Sequence, residues 1–314
     1  MAPHWERLYA RKQVKMKKTP RLLVTGATGD TGGYAIDELL KTSVSIRALV
    51  HQEDERASRL REKGIEVAVG DLLNLDDVTA ALDGITNAYF VFPIQIPGIL
   101  TATSYFIQAG KELGLQSIVN MSQISARRQA KSHAAQDHWV SERIFDYSGI
   151  PVTHLRPTFF AEWLVYRSLN ILKSGTISMP FDNVKHAPVA AEDLGRVIAK
   201  ILLAPDPYKG KTFSLYGQTE YGYSEIVQFL SNSIGRKIEY HSIPIETFQD
   251  AMVQQGSPAH FVQHIVSVAR DFLDGQFSGN NDNVEVITGV KPLDIQDFIE
   301  KNKHFYLQET SKHQ

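Results

Sequence analysis

Arg21-Leu22-Leu23-Val24-Thr25-Gly26-Ala27-Thr28-Gly29-Asp30-Thr31-Gly32-Gly33 is the stretch whose reading decides the fold. Its first five residues are a short run of strand character, and four glycines follow within residues 26–33. Ile36, Leu39 and Leu40 then recur at helical spacing and predict a helix over 34–40. Strand, glycine turn and helix in immediate succession is what a dinucleotide pyrophosphate requires: backbone amides converge at a helix N-terminus, and no side chain blocks close approach. In this turn Gly26 is expected to make the tight bend and Gly29 to let the backbone approach the phosphates. Gly32 or Gly33 lets the helix pack closely on the sheet, while Thr28, Asp30 and Thr31 are placed to cap that helix or to bond phosphate. A lone glycine pattern is weak, because glycine also serves turns and caps; its place at the head of a repeated β/α pattern gives it weight.

Further apolar runs rich in β-formers lie at 44–50, 66–69, 88–92 and 117–121, separated by helical stretches such as 54–63 and 78–82. The alternation predicts an α/β fold, a Rossmann-type doubly wound parallel sheet with helices on both faces. A helix near 137–147, the turn Ser148-Gly149 and a strand at 152–155 ending in Arg156-Pro157 extend it. Beyond this the pattern loosens into a strand at 184–189, an amphipathic helix at 191–203 entered through Glu192 and Asp193, and a helix at 224–233. These suit a smaller C-terminal α/β lobe on the substrate side. Asp193 reads as an N-terminal helix charge, and the Gly/Asn/Asp cluster 279–283 as one exposed loop. The expected organisation is a flexible basic tail over 1–19, an NAD(P)-binding Rossmann domain over 20–160 with sheet contributions from later segments, and the lobe over 161–314.

The chain of 314 residues is long enough to bury a large core, and its net charge of −2 gives no general attraction to nucleic acid or anionic membrane. With no cysteine it has no disulfide, thiolate chemistry or cysteine zinc site, which fits a reducing compartment such as the cytoplasm. No apolar run is long enough to cross a bilayer, and nothing at the N-terminus has the form of a signal peptide. Arg7, Arg11, Lys12, Lys15, Lys17 and Lys18 read as a solvated tail, and Met16, just before the first strand, as a natural translation start.

The strand ends supply the other candidate cofactor contacts. The residue after the second strand faces the adenine ribose, where a carboxylate suits a free 2′-hydroxyl and a base suits a 2′-phosphate. Here His51 stands there, with Arg47 and Arg56 near in sequence, so NADP(H) is favoured over NAD(H). Asp71, with Leu72, is placed to bond the adenine amino group, and Phe92-Pro93 to border the ribose path; each is equally ordinary strand-end chemistry.

The turn 25–33, the segment Gly149-Ile-Pro-Val-Thr-His-Leu-Arg-Pro-Thr-Phe-Phe-Ala-Glu-Trp163 and the late Val286-Ile-Thr-Gly-Val-Lys-Pro292 together resemble the NmrA-like family of atypical short-chain dehydrogenases, over about residues 20 to 306. The resemblance implies a Rossmann domain with a small C-terminal lobe, in a family holding both NADPH-dependent reductases and proteins that only sense the dinucleotide. It implies that Pro157, Thr158, Phe159 and Phe160 border the nicotinamide and that Met121 and Ser122 run along the cofactor. No tyrosine has a lysine four residues on, so the usual proton-transferring pair of the superfamily is missing. Where some reductases of the family use a lysine, this chain offers His138, as a proton donor or a cofactor-orienting group. Ser122, in the place of the superfamily serine, is either a substrate hydrogen-bonder or a strand-end cap.

Glu162, Trp163 and Tyr166 are expected to line an aromatic substrate pocket, with His186 facing it. The histidine spacing gives no metal site, since His133 and His138 fall on different sides of a helix, and no Gly-x-Ser-x-Gly elbow is present. The leading expectation is an NADPH-dependent oxidoreductase that reduces a small quinone, azo or enone acceptor, the acceptor class coming from the resemblance. The alternatives are a dinucleotide redox sensor that binds a regulatory protein partner and, more remotely, a sugar-nucleotide epimerase.

Overall fold

Strand β1 (Arg21–Thr25) is buried along almost its whole length, and the glycine turn leads from it directly into helix α1 (Asp30–Leu39). The helix starts four residues before the sequence expectation. Its first turn reads Asp-Thr-Gly-Gly, which carries no apolar periodicity to announce it. The structure, a computed structural model, describes residues 20–166, 171, 173–182 and 184–307. The basic tail 1–19, with Met16, lies outside the described residues.

The chain then alternates through β2 (Ser45–Val50), α2 (Glu55–Glu62), β3 (Glu66–Val69), α3 (Leu75–Leu82), β4 (Asn87–Phe90), α4 (Ile99–Leu113), β5 (Ser117–Met121), α5 (His133–Tyr147) and β6 (Val152–Pro157). After β6 come the short helix α6 (Trp163–Tyr166) and β7 (Thr176–Met179). The amphipathic helix α7 (Ala191–Leu203) and strand β8 (Thr212–Leu215) then return to the main body. All seven strands of the main sheet are parallel, in the order β3-β2-β1-β4-β5-β6-β8. One face is covered by α1, α2 and α7 through Ile36, Leu39, Leu60, Leu194, Val197 and Ile201. The other is covered by α3, α4 and α5 through Val78, Leu82, Phe106 and Phe145. Gly195 lets α7 lie directly on α1, since a Cβ there would come within 2.5 Å of Tyr34 Cβ.

The lobe has its own core, built from α6, α8 (Tyr223–Ile234), α9 (Ile245–Gln254), α10 (Ala259–Leu273) and α12 (Ile295–Asn302), with β7 paired to β9 (Glu239–Ser242). The chain is not cut between sheet and lobe at one point, because α7, β8 and α11 (Asn283–Thr288) all pack in the sheet's layers. Residues 184–189 form no strand. They make the isolated bridges Phe160↔Val189 and His186↔Tyr221, because their backbone bonds are divided between two different neighbours, 159–161 and 217–221, and neither pairing runs on into a ladder. Nor is 279–283 simply an exposed loop: the Asn281 and Asn283 side chains donate to the Ser214 carbonyl at 3.0 and 2.9 Å, pinning it to β8.

Candidate functional site

The sheet order reverses direction between β1 and β4, and the loops leaving these strands diverge to opposite faces. In parallel sheets this opens a crevice at the carboxyl ends of the strands. Gly26 makes the bend with φ +58°, and a Cβ on it would strike Val91 Cγ1 at 2.5 Å. The Gly29 amide closes the turn onto the Gly26 carbonyl at 2.9 Å, and Gly29 itself is the N-cap of α1. Gly32 is the packing glycine, its absent Cβ falling 2.3 Å from the Gly26 oxygen, whereas at Gly33 the nearest atom is 3.9 Å away. No side chain caps α1, so its first amides are left for an external acceptor. The Thr31 hydroxyl is turned inward to the buried Tyr89 hydroxyl at 2.8 Å, which fixes the helix on β4 and removes it from capping. Asp30 accepts a hydrogen bond from Tyr166, which reaches across the crevice from α6, and burial pushes the Asp30 carboxyl up.

The crevice is a continuous cleft of about 960 Å³. Around the turn it is lined by Gly26, Thr28, Gly29, Asp30 and Thr31, and on the β2–β3 side by His51, Arg56, Asp71 and Leu72. Its other arm is lined by Phe92, Pro93, Met121, Ser122, His138, Pro157, Thr158, Phe159 and Phe160, then by Trp163 and Tyr166. Arg47 is not there. It lies near the start of β2, at the opposite end of the sheet, where Nη1 donates to the carbonyls of Ala80, Ala81 and Asp83 at 2.8–3.1 Å and Nε to Glu66 at 2.9 Å. A cation among the last carbonyls of a helix is a structural partner for α3. Arg56 borders the cleft as an exposed side chain, bound through two nitrogens to Asp54 at 2.9 and 2.7 Å. Asp71 turns one carboxylate oxygen onto the Leu73 amide at 2.8 Å.

At the far end, four buried polar atoms have no hydrogen-bond partner among the described residues: Ser122 Oγ, Gln123 Nε2, His138 Nδ1 and Thr158 Oγ1. Unpaired buried groups are costly and cluster at functional sites. Burial, with a smaller contribution from His264, pushes the His138 imidazole down to about 4, so it is neutral near pH 7. Beside these polar atoms the walls include Ile94, Ile96, Ile265, Val268, Phe277 and His264. Most of these come from the lobe, and no local motif marks them. They are periodic core-like residues until α10 is folded over the sheet.

Two expected pocket residues lie elsewhere. Glu162 is buried at the start of α7, where Oε1 accepts the Ala191 amide at 2.9 Å; desolvation pushes its carboxyl up to about 7, and Oε2 has no partner among the described residues. Its carboxylate complements a helix N-terminus and does not line the cleft. His186 is enclosed by aromatics, stacked on Tyr223 at 5.2 Å and edge-on to Phe159 and Phe272 at 5.8 and 5.0 Å; burial pushes it down to about 3. It fills the lobe core behind Phe159. Asp193 accepts the Leu293 amide at 2.8 Å and pairs with Arg196 on α7. Among the described residues no group of side chains is placed to hold a metal ion, and no helix is long and apolar enough to cross a membrane.

The capless helix, the glycines that a Cβ would block and the unpaired polar atoms farther along the cleft fit an elongated molecule with phosphates at the turn, as a dinucleotide has. Comparison with known proteins places this arrangement: the model of the NmrA-like family matches residues 18–304. The chain belongs to the NmrA-like family. Among curated relatives, this NmrA-like chain is 26% identical over 272 residues to an NAD(P)H azoreductase of Xenophilus azovorans, covering 85% of this chain and 93% of the relative. Among solved structures it is similar to an NADPH-dependent quinone oxidoreductase of Escherichia coli complexed with NADPH (TM-score 0.80, 21% identity, covering 89% and 99% of the two chains). It is also similar to a Citrobacter triphenylmethane reductase complexed with NADP(H) (TM-score 0.78, 23% identity, covering 89% and 99%). These likenesses bear out the expected Rossmann-type fold and family.

Proposed function

We propose that this NmrA-like protein is an NAD(P)H-dependent oxidoreductase acting on a flat conjugated acceptor of the quinone, azo or enone class. The observation that carries the reading is one continuous cleft joining the capless N-terminus of α1 to a chamber walled by Phe159, Trp163, Ile265, Val268 and Phe277. The amides of Asp30 and Thr31 would hold the pyrophosphate, with Gly26 and Gly29 keeping the approach clear. His51 and Arg56 would meet the adenine ribose, and the free oxygen of Asp71 the adenine. Phe92, Pro93, Met121 and Pro157 to Phe160 would flank the ribose and nicotinamide. With a histidine, His51, where a carboxylate would stand directly after β2, the adenine end favours NADP(H).

When bound, the dinucleotide supplies a hydride. The residues of this chain would hold the acceptor flat against apolar and aromatic walls in a cleft that stays open to water. His138 is neutral and Ser122 is a hydroxyl, so both are hydrogen-bonding groups rather than acids at pH 7. An acceptor that takes its proton from water fits this better than a simple ketone, and the relatives' names, azoreductase and quinone oxidoreductase, are of that kind. The test is NADPH oxidation by the purified protein against a panel of quinones, azo dyes and enones. Turnover with at least one class, faster with NADPH than with NADH, is expected. No turnover with any of them, together with a protein partner retained in only one cofactor redox state, would establish the sensor reading instead.

A further inference from the structure

Two histidines line the cleft, and the sequence points to only one of them. His264 enters from α10, and like His138 it is buried at the cleft wall. Ser132 determines which of its nitrogens carries the hydrogen. Ser132 is fully buried; its Oγ accepts the Ala135 amide at 3.0 Å, as N-cap of α5, and lies 2.8 Å from His264 Nδ1. A hydroxyl shut off from water must give its own hydrogen to a protein acceptor, and among the described residues Nδ1 is the acceptor within reach. Nδ1 therefore accepts, and the neutral ring carries its hydrogen on Nε2.

The same clamp makes the ring rigid. Gln263, next on α10, accepts the His133 amide at 3.0 Å and donates to the Lys131 carbonyl at 2.8 Å, tying α10 to the start of the helix that carries His138. The hydrogen bond that His264 makes among the described residues is through Nδ1, which leaves Nε2–H for the cleft, and on the same cleft the buried His138 Nδ1 and Ser122 Oγ have no partner. A donor of fixed direction, held on an apolar wall, is what a planar molecule with a lone-pair oxygen would satisfy.

We infer that His264 is a substrate-contacting residue whose Nε2–H donates to a carbonyl or quinone oxygen of the acceptor, selecting oxygenated planar molecules over hydrocarbons of the same shape. The inference rests on the proposed acceptor site, but it concerns binding and needs no turnover. The ring keeps its hydrogen throughout.

Equilibrium dialysis of the full-length protein with NADP⁺, against menadione and separately against 2-methylnaphthalene, tests it. Wild type should hold the quinone about tenfold more tightly than the hydrocarbon, the worth of one well-made hydrogen bond. His264→Gln, whose amide nitrogen stands where Nε2 stood, should keep that preference. His264→Asn keeps the bond to Ser132 but does not reach the acceptor, and should lower the ratio about tenfold from that of wild type; His264→Leu should do the same. A clamp without substrate contact would lower the melting midpoint of the variants and leave the ratio alone, and that result overturns the inference. So does a wild type that binds both probes equally or neither. Wild type that prefers menadione yet never oxidises NADPH with it removes the proposed activity and leaves this contact standing.

Discussion

Replacing Gly32 and Gly33 separately by alanine should have opposite effects, although the two are adjacent in the first turn of one helix. A Cβ at Gly33 has its nearest neighbour, the Ala27 oxygen, at 3.9 Å, so the change costs no contact. It should gain about 0.5–1 kcal/mol from reduced backbone freedom in the unfolded chain and better helix propensity. A Cβ at Gly32 would lie 2.3 Å from the Gly26 oxygen and 2.8 Å from the Gly26 carbonyl carbon. Both obstacles are backbone, so turn and helix must part by about an ångström to restore van der Waals contact. Overpacking of this kind costs roughly 1–3 kcal/mol, which outweighs the propensity gain and leaves Gly32→Ala about 1–2 kcal/mol less stable than wild type. Moving the turn by that distance also misaligns the α1 amides, and NADP⁺ affinity should fall at least about tenfold. Urea unfolding with matched slopes gives the first quantity and calorimetric titration of NADP⁺ the second. If the two variants have the same midpoint and the same NADP⁺ affinity, neither the close packing nor the phosphate cradle argued from it is correct.

Two further outcomes follow from side chains placed away from their expected sites. Arg47→Met should cost about 2–4 kcal/mol by leaving the carbonyls of Ala80, Ala81 and Asp83 unmatched and Glu66 with Arg21 as its remaining partner, with the ratio of NADP⁺ to NAD⁺ affinity unchanged. Arg56→Ala should lower that ratio with little effect on the urea midpoint; calorimetry on the two variants separates them, and a ratio moved by Arg47→Met would contradict the assignment. His186 is held neutral in its aromatic cage down to about pH 3, while in the unfolded chain it takes a proton near 6.5. Its contribution is thus intact above pH 6.5 and is lost as the pH falls, by about 2 kcal/mol at pH 5. His186→Phe should remove that loss, so its stability advantage over wild type in urea melts grows from pH 7 to pH 5; an advantage independent of pH would mean the imidazole is protonated in place.

The sequence by itself determined the sheet, the glycine turn and most of the strand ends that line the cleft, because these depend on local causes. A buried strand must be apolar, a turn that admits phosphate must lack Cβ atoms, and the first residue after a parallel strand falls at the carboxyl edge wherever the strand sits. The early start of α1 escaped because glycines and polar residues carry no periodicity. Only the tertiary structure decided the rest. Arg47 looked like a ribose cation until the sheet turned it onto the end of α3, and Glu162 and His186 looked like pocket residues until helix and lobe packing took them inward. His264 became part of the cleft through a contact with Ser132, 132 positions away in the chain. A spacing along one element fixes what shares its face, but which face meets the ligand is set by how separate elements bury their apolar surfaces against each other, and that sum runs over the whole molecule.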